Sequence, residues 1–214
     1  MARFLVVLDV DSTLIEQEVI ELLAEAAGSL HEVAAITARA MNGELDFEES
    51  LRERVATLAG LPAAVIDEVR ARITVTTGAP ALIRGVQTAG GAVGVVSGGF
   101  HEGLDSLARA LGLDEWRANR LEVVDGLLTG RIIPPVVDAE FKAARLREWA
   151  QAREIPISQT VAVGDGANDL VMMAAAGLSI GFDAKAPVRD VADVLLDERD
   201  LSAVLAVLGL PVAQ

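Results

Sequence analysis

Short apolar runs alternate with helical pattern along most of this chain, and three of the runs end in loops of glycine, acids and hydroxyls. Phe4-Leu5-Val6-Val7-Leu8, Gly91-Ala92-Val93-Gly94-Val95-Val96 and Thr160-Val161-Ala162-Val163 have the length and composition of strands buried on both faces. Helical patterns over about 79–89, 101–111, 140–153 and 168–176 fall between or after them. Two further short runs, Leu178-Ser179-Ile180 and Val194-Leu195-Leu196, precede a last helix over about 201–208. Leu121 to Ile132 reads as a hairpin turning at Asp125-Gly126. Strands that alternate with helices imply an α/β fold, a Rossmann-like parallel sheet with helices on both faces.

Residues 16–72 break the alternation. They are rich in Glu, Arg and Ala, carry no strand candidate, and break near Gly28-Ser29, Asn42-Gly43 and Gly60-Leu61-Pro62. That spacing predicts four short helices, with Ser29, Asp46 and Leu61-Pro62 as their starts. The block reads as a helical-bundle cap over 15–75, inserted into a core formed by 1–14 and 76–214. Hinges between the two are expected near Ile15-Glu16 and Thr74 to Thr77.

In an open parallel sheet, ligands bind outside the carboxyl ends of the strands. Here those ends read Asp9-Val10-Asp11-Ser12-Thr13, Ser97-Gly98-Gly99-Phe100 and Gly164-Asp165-Gly166-Ala167-Asn168-Asp169. Two carboxylates one residue apart at a strand tip raise each other's energy, which points to a cation. Asp9 and Asp165 can hold a hard divalent ion such as Mg²⁺, with a main-chain carbonyl of the first loop as a further oxygen ligand. Ser97 and the N–H groups beside Gly98 and Gly99 can bind phosphate oxygens at the start of the next helix. Each segment also has a plain reading. Asp11-Ser12-Thr13 can cap a helix, and the two glycine-rich segments can be turns.

Lysine is scarce, with two against sixteen arginines. Lys142, at a predicted helix start, can supply a compact cation to a phosphoryl group, or can be an ordinary solvated charge. The net charge of -14 argues against nucleic acid and anionic membranes as partners. It also means that a phosphate-handling site would need cations of its own. The chain has no cysteine for a disulfide framework and no apolar stretch long enough to span a bilayer. A soluble cytoplasmic protein is the expectation. His31 and His101 belong to no motif and are expected at the surface.

Asp9-Val10-Asp11-Ser12-Thr13, Ser97-Gly98-Gly99, Lys142 and Gly164 to Asp169 stand in the order of the four motifs of the haloacid dehalogenase-like superfamily. Within it the chain resembles the phosphoserine phosphatases. Glu18, Met41-Asn42-Gly43, Phe47 to Val55 and Asp138-Ala139-Glu140-Phe141-Lys142 look like that family's cap and lysine segments, so essentially the whole chain is covered. The resemblance implies Mg²⁺-dependent hydrolysis of O-phospho-L-serine, the last step of serine biosynthesis, through an aspartyl-phosphate. Asp9 would be the nucleophile and Asp11 the general acid and then base. The metal would be held by the Asp9 and Asp165 side chains and the Asp11 main-chain oxygen, with Asn168 and Asp169 orienting that set. Ser97, Gly98, Gly99 and Lys142 would hold the phosphoryl oxygens, and Asn168 would also touch substrate. Glu18 would meet the substrate ammonium, Arg54 its carboxylate, and Met41 and Phe47 would line an apolar wall.

Relatives that pass the phosphate to homoserine or another small alcohol, and phosphatases for other small phosphomonoesters, are the alternatives that the resemblance leaves open. So is a monomer or a homodimer. A phosphoacceptor switch is disfavoured by the second acid and the large cap. Some relatives carry an N-terminal sensing domain. The chain begins at its first core strand, so feedback by serine through such a domain is not expected.

Overall fold

The structure, a computed structural model, describes residues 2–211, so the outermost positions of the expected core lie outside it. Seven strands form one sheet: β1 (Leu5–Leu8), β2 (Ala92–Phe100), β3 (Glu115–Val124), β4 (Leu127–Ile133), β5 (Thr160–Gly164), β6 (Leu178–Phe182) and β7 (Val194–Leu196). Their order is β4-β3-β2-β1-β5-β6-β7, parallel throughout except for the antiparallel β3–β4 hairpin. β1 is central, with Leu8 level with Val95 on one side and Val163 on the other. The residues that follow, Asp9, Ser97 and Asp165, therefore emerge side by side at one edge.

The apolar runs are continuous because both faces are covered. Val6, Leu8, Val95 and Val163 pack on one face with Leu82 and Val86. Leu5, Val7, Val96 and Ala162 pack on the other with Leu146, Trp149 and Met172. The helices that supply these partners are among α5 (Ala79–Thr88), α6 (His101–Leu111), α7 (Ala139–Ala152), α8 (Leu170–Ala175), α9 (Ala186–Arg189) and α10 (Ala203–Val207).

Between β1 and α5 run four helices and no strand among the described residues: α1 (Val19–Ala27), α2 (Leu30–Met41), α3 (Phe47–Ala56) and α4 (Val65–Arg72). α1 packs on α2 and α4, α3 on α2 and β4, and α4 on α6. The chain passes into and out of this block through paired segments. Ile15 bridges Val75, the Glu16 N–H donates to Thr74 O, and the Thr76 N–H donates to Leu14 O.

Asp46 starts α3 with a full capping box, accepting from the Glu49 N–H at 2.8 Å while the Glu49 carboxylate accepts from the Asp46 N–H. Two expectations are corrected. Leu61-Pro62 does not start a helix, because the hairpin claims its backbone. Leu61 O accepts from the Leu128 N–H, Pro62 bridges Leu127, and α4 begins only at Val65. Ser97-Gly98-Gly99 is not a separate loop, since β2 runs through it to Phe100 and α6 follows directly.

Candidate active site

Asp9 ends β1, its N–H still donating to Val163 O in the sheet ladder. Its Oδ1 accepts from Lys142 Nζ at 2.7 Å, and the same ammonium donates to Asp169 Oδ1 at 2.8 Å. Lys142 lies in the first turn of α7, which Asp138 caps by accepting from the Phe141 N–H. It is wholly buried. Asp169 Oδ2 accepts from the N–H groups of Asp165 and Gly166, so both Asp169 oxygens are engaged within the protein. A Cβ at Gly164 would fall inside the Asp169 carboxylate, which explains a glycine at the end of β5.

Carboxylate oxygens of Asp9, Asp165 and Asp169 lie within 4.8 Å of one another, and all three residues are buried. Among the described residues nothing donates to Asp9 Oδ2, and Asp165 Oδ1 has only a long 3.4 Å contact from Thr13 Oγ1. An all-oxygen, acid-rich, buried cluster of this kind fits a hard divalent cation. Burial first, then the charges of Asp169 and Asp165, push the Asp9 pKa up to about 8 against the opposing pull of Lys142. Burial works against the Lys142 ammonium, but Asp169 and Asp9 outweigh it and raise its pKa. The three acids together exceed the two lysines that pair with them, an excess that a cation would relieve.

Asp11 sits in a tight turn in which the Ile15 N–H reaches back to Val10 O and Ser12 takes a left-handed φ of 58°. Burial chiefly, with Glu18 and Asp9 adding, raises its pKa well above the carboxylate range, and the Val19 N–H opposes. A carboxyl whose pKa is raised in this way suits a proton donor. A Cβ at Gly99 would overlap Asp11 Oδ2, so Asp11 lies directly on the β2 end. There Ser97 Oγ accepts from the Gly99 N–H at 2.7 Å.

The cap-side residues meet the same spot. Glu18 accepts from Ser12 Oγ at 2.8 Å, and Phe47 packs over Gly98, where a Cβ would stand 2.9 Å from its Cζ. Arg54 is half-buried; desolvation lowers its pKa, while Glu18, Asp11 and Glu21 pull the other way, which places it among those acids. Asn168 Oδ1 lies over Gly166. Met41 is the residue not brought in: it stands 82% exposed at the end of α2, so the expected wall has Phe47 alone in this structure.

A family model described as haloacid dehalogenase-like hydrolase matches residues 6–174. The chain belongs to that family. Among these hydrolases it is 56% identical over 209 residues to a phosphoserine phosphatase of Streptomyces coelicolor, across 98% of this chain and 51% of that protein. It thus spans about half the length of that relative. A phosphoserine phosphatase of Streptococcus thermophilus is 50% identical, with 95% of each chain covered. A solved structure described as a phospho-aspartyl intermediate analogue of phosphoserine phosphatase superposes with a TM-score of 0.91 at 42% identity, covering 97% of this chain and 99% of that one.

Two residues at the candidate site, and the burial of a histidine that follows β2, escaped the sequence reading. Lys185 Nζ lies 2.9 Å from Asp165 Oδ2, and the lysine scarcity that singled out Lys142 pointed equally to it. Asn119, buried in β3, donates to Gly98 O and accepts from the Val137 N–H at 2.7 Å, and nothing in its sequence setting signals this. His101, expected at the surface, is buried; its Nδ1 pairs with Asp105 at 2.7 Å and its Nε2 accepts from the Ala118 N–H. His31 is exposed, as expected.

Proposed function

We propose that the protein hydrolyses O-phospho-L-serine to L-serine and phosphate. The observation that carries this reading is the placement of Asp9, lysine-paired and clustered with two further buried acids, beside an Asp11 that lies directly on the β2 end. The Asp9 carboxylate attacks phosphorus, the bond from phosphorus to the seryl oxygen breaks, and Asp11 gives that oxygen its proton. Water then attacks the aspartyl-phosphate, its proton returns to Asp11, and the Asp9–phosphorus bond breaks to release phosphate. Ser97, the N–H groups at Gly98 and Gly99, and Lys142 orient the phosphoryl oxygens, and the start of α6 adds its favourable dipole. Mg²⁺, held by Asp9, Asp165 and the Asp11 main-chain oxygen with Asn168 and Asp169 in support, would supply positive charge against the phosphoryl group.

Glu18 and Arg54 fit the ammonium and carboxylate of an amino-acid substrate, with Phe47 between them and the β2 end. Residues 15–75 act as a cap over the core of 1–14 and 76–214, closing at the paired segments around Ile15 and Val75 to exclude water from the first step. No helix among the described residues is long and apolar enough to cross a membrane. On this reading the protein is a cytoplasmic enzyme of serine synthesis acting on a small molecule, as a monomer or homodimer.

Phosphate release from phosphoserine, phosphothreonine and sugar phosphates, with and without Mg²⁺, tests the assignment. Metal-dependent turnover should be fastest on phosphoserine, and Asp9→Asn should abolish both turnover and the covalent phosphoenzyme. No release from phosphoserine with Mg²⁺ present sinks the reading. Capture of the phosphate by added homoserine would redefine the enzyme as a transferase.

A further inference from the structure

Both lysines of the chain end at the acidic cluster, Lys142 between Asp9 and Asp169 and Lys185 on Asp165. Lys142 holds Asp9 Oδ1 and Lys185 holds Asp165 Oδ2. Among the described residues the other oxygen of each acid takes no hydrogen bond except the long Thr13 contact on Asp165 Oδ1, and Asp9 and Asp165 each bring an oxygen to the cluster. Lys185 comes from the turn between β6 and α9, and its backbone N–H also donates to Asp165 O at 2.9 Å. Asp165 is thereby held at two points, its main-chain carbonyl by the Lys185 N–H and its carboxylate by the ammonium, to an element that no active-site motif includes. Lys185 itself is 61% exposed, so its ammonium is not part of the buried Lys142 network.

We propose that Lys185 is a positioning residue for Asp165. By occupying Oδ2 it restricts that acid to offering a single oxygen, and so tunes the site toward a small divalent cation and against a large one. The inference rests on the assignment of a metal to this cluster. Its physical basis is the difference between two hard cations. Ca²⁺ accepts six to eight oxygens, including both oxygens of one carboxylate, in loose geometry, whereas Mg²⁺ demands a compact near-octahedral set. A carboxylate freed to rotate offers a second oxygen that only the larger ion can use. Groups that hold the outer oxygen or nitrogen of a metal ligand commonly act in this way.

Loss of a nearby positive charge has a second effect that must be separated from positioning. It strengthens the binding of any dication, and because Mg²⁺ and Ca²⁺ carry the same charge it strengthens both alike. The ratio of the two affinities is therefore the informative quantity. Calorimetric titration of Mg²⁺ and of Ca²⁺ into the wild-type protein, Lys185→Met and Lys185→Arg reads it without any turnover. The preference for Mg²⁺ over Ca²⁺ should fall about tenfold in Lys185→Met, and Lys185→Arg, which keeps a donor, should restore it. The Lys185 backbone bond survives every substitution, and near-ultraviolet circular dichroism checks that the fold does too. If Lys185→Met does not fold, Lys185→Gln carries the same comparison. A ratio unchanged in the variant overturns the proposal, even where both affinities rise together. Wild-type protein that saturates with neither cation overturns the metal assignment with it, and neither result bears on whether phosphoserine is the substrate.

Discussion

Asn119 shows how one buried amide can hold the phosphoryl end of the site in shape. Its donor goes to Gly98 O and its acceptor takes the Val137 N–H, tying the end of β2 to the segment that leads into α7 and Lys142. Asn119→Ala leaves a part-buried carbonyl and a buried N–H without partners, at up to about 1–3 kcal/mol each. Urea unfolding should show a loss of up to about 2–6 kcal/mol, and the KM for phosphoserine should rise because Gly98 and Lys142 lose their common support. A variant as stable as the wild type would show that water replaces the amide. In the cap, Glu18→Ala and Arg54→Ala should weaken turnover of phosphoserine by tenfold or more, on the order of 1.4 kcal/mol each, and leave an aryl phosphate much less affected. Equal losses on both substrates would remove those residues from substrate recognition. Such residues differ in how visible they are in a sequence. Asp9, Asp11, Asp165 and Asp169 announce themselves because acids at strand tips have no packing use, whereas Asn119 and His101 act through partners that only the folded sheet brings near.

Strands were legible as elements because full burial writes them as unbroken apolar runs, and β1, β2 and β5 stand where those runs lie. The start of α4 was not, because what decides it is the hairpin turn at Gly126 and Leu127, far along the chain from Pro62. α6 supplies a test at this scale. It follows the Ser97 segment without a side-chain cap, and Asp105 on it receives hydrogen bonds from His101 within α6 and from Trp116 Nε1 on β3. Partial burial alone would raise the Asp105 pKa, but those two hydrogen bonds and the nearby charge of Arg120 bring it below the usual carboxylate value. A depressed folded pKa stabilises the protein above the unfolded pKa, and the contribution is lost as the pH falls through the folded value. The gap in unfolding free energy between wild type and Asp105→Asn should therefore hold steady above about pH 5 and narrow below about pH 4. A gap that stays constant into stronger acid would mean that Asp105 contributes packing and not charge. Trp116 fluorescence follows the same unfolding at the α6–β3 contact itself.

For the whole molecule, an exterior with a net charge of -14 surrounds a site that must admit an anion. The contradiction is resolved by distance. Lys142 is buried against Asp9, Lys185 pairs with Asp165 at the edge of the same cluster and Arg54 is half-buried beside it, so their charges are local to the site, while most of the thirty-two acids are spread over a surface that solvent and salt screen. Repulsion between the acidic exterior and phosphoserine should therefore slow encounter at low ionic strength, and moderate salt should relieve it because the screening length shortens to about 10 Å at 0.1 M. With Mg²⁺ held saturating, kcat/KM for phosphoserine should rise as KCl is raised from about 10 mM to about 100 mM, where the screening length falls from about 30 Å to about 10 Å. The change should appear in KM with kcat nearly constant, since the buried contacts that act during the chemical steps are screened far less. A kcat/KM that falls steadily over the same range would mean that the cations at the site mouth dominate the long-range field, and that the acidic surface has no part in how the substrate arrives.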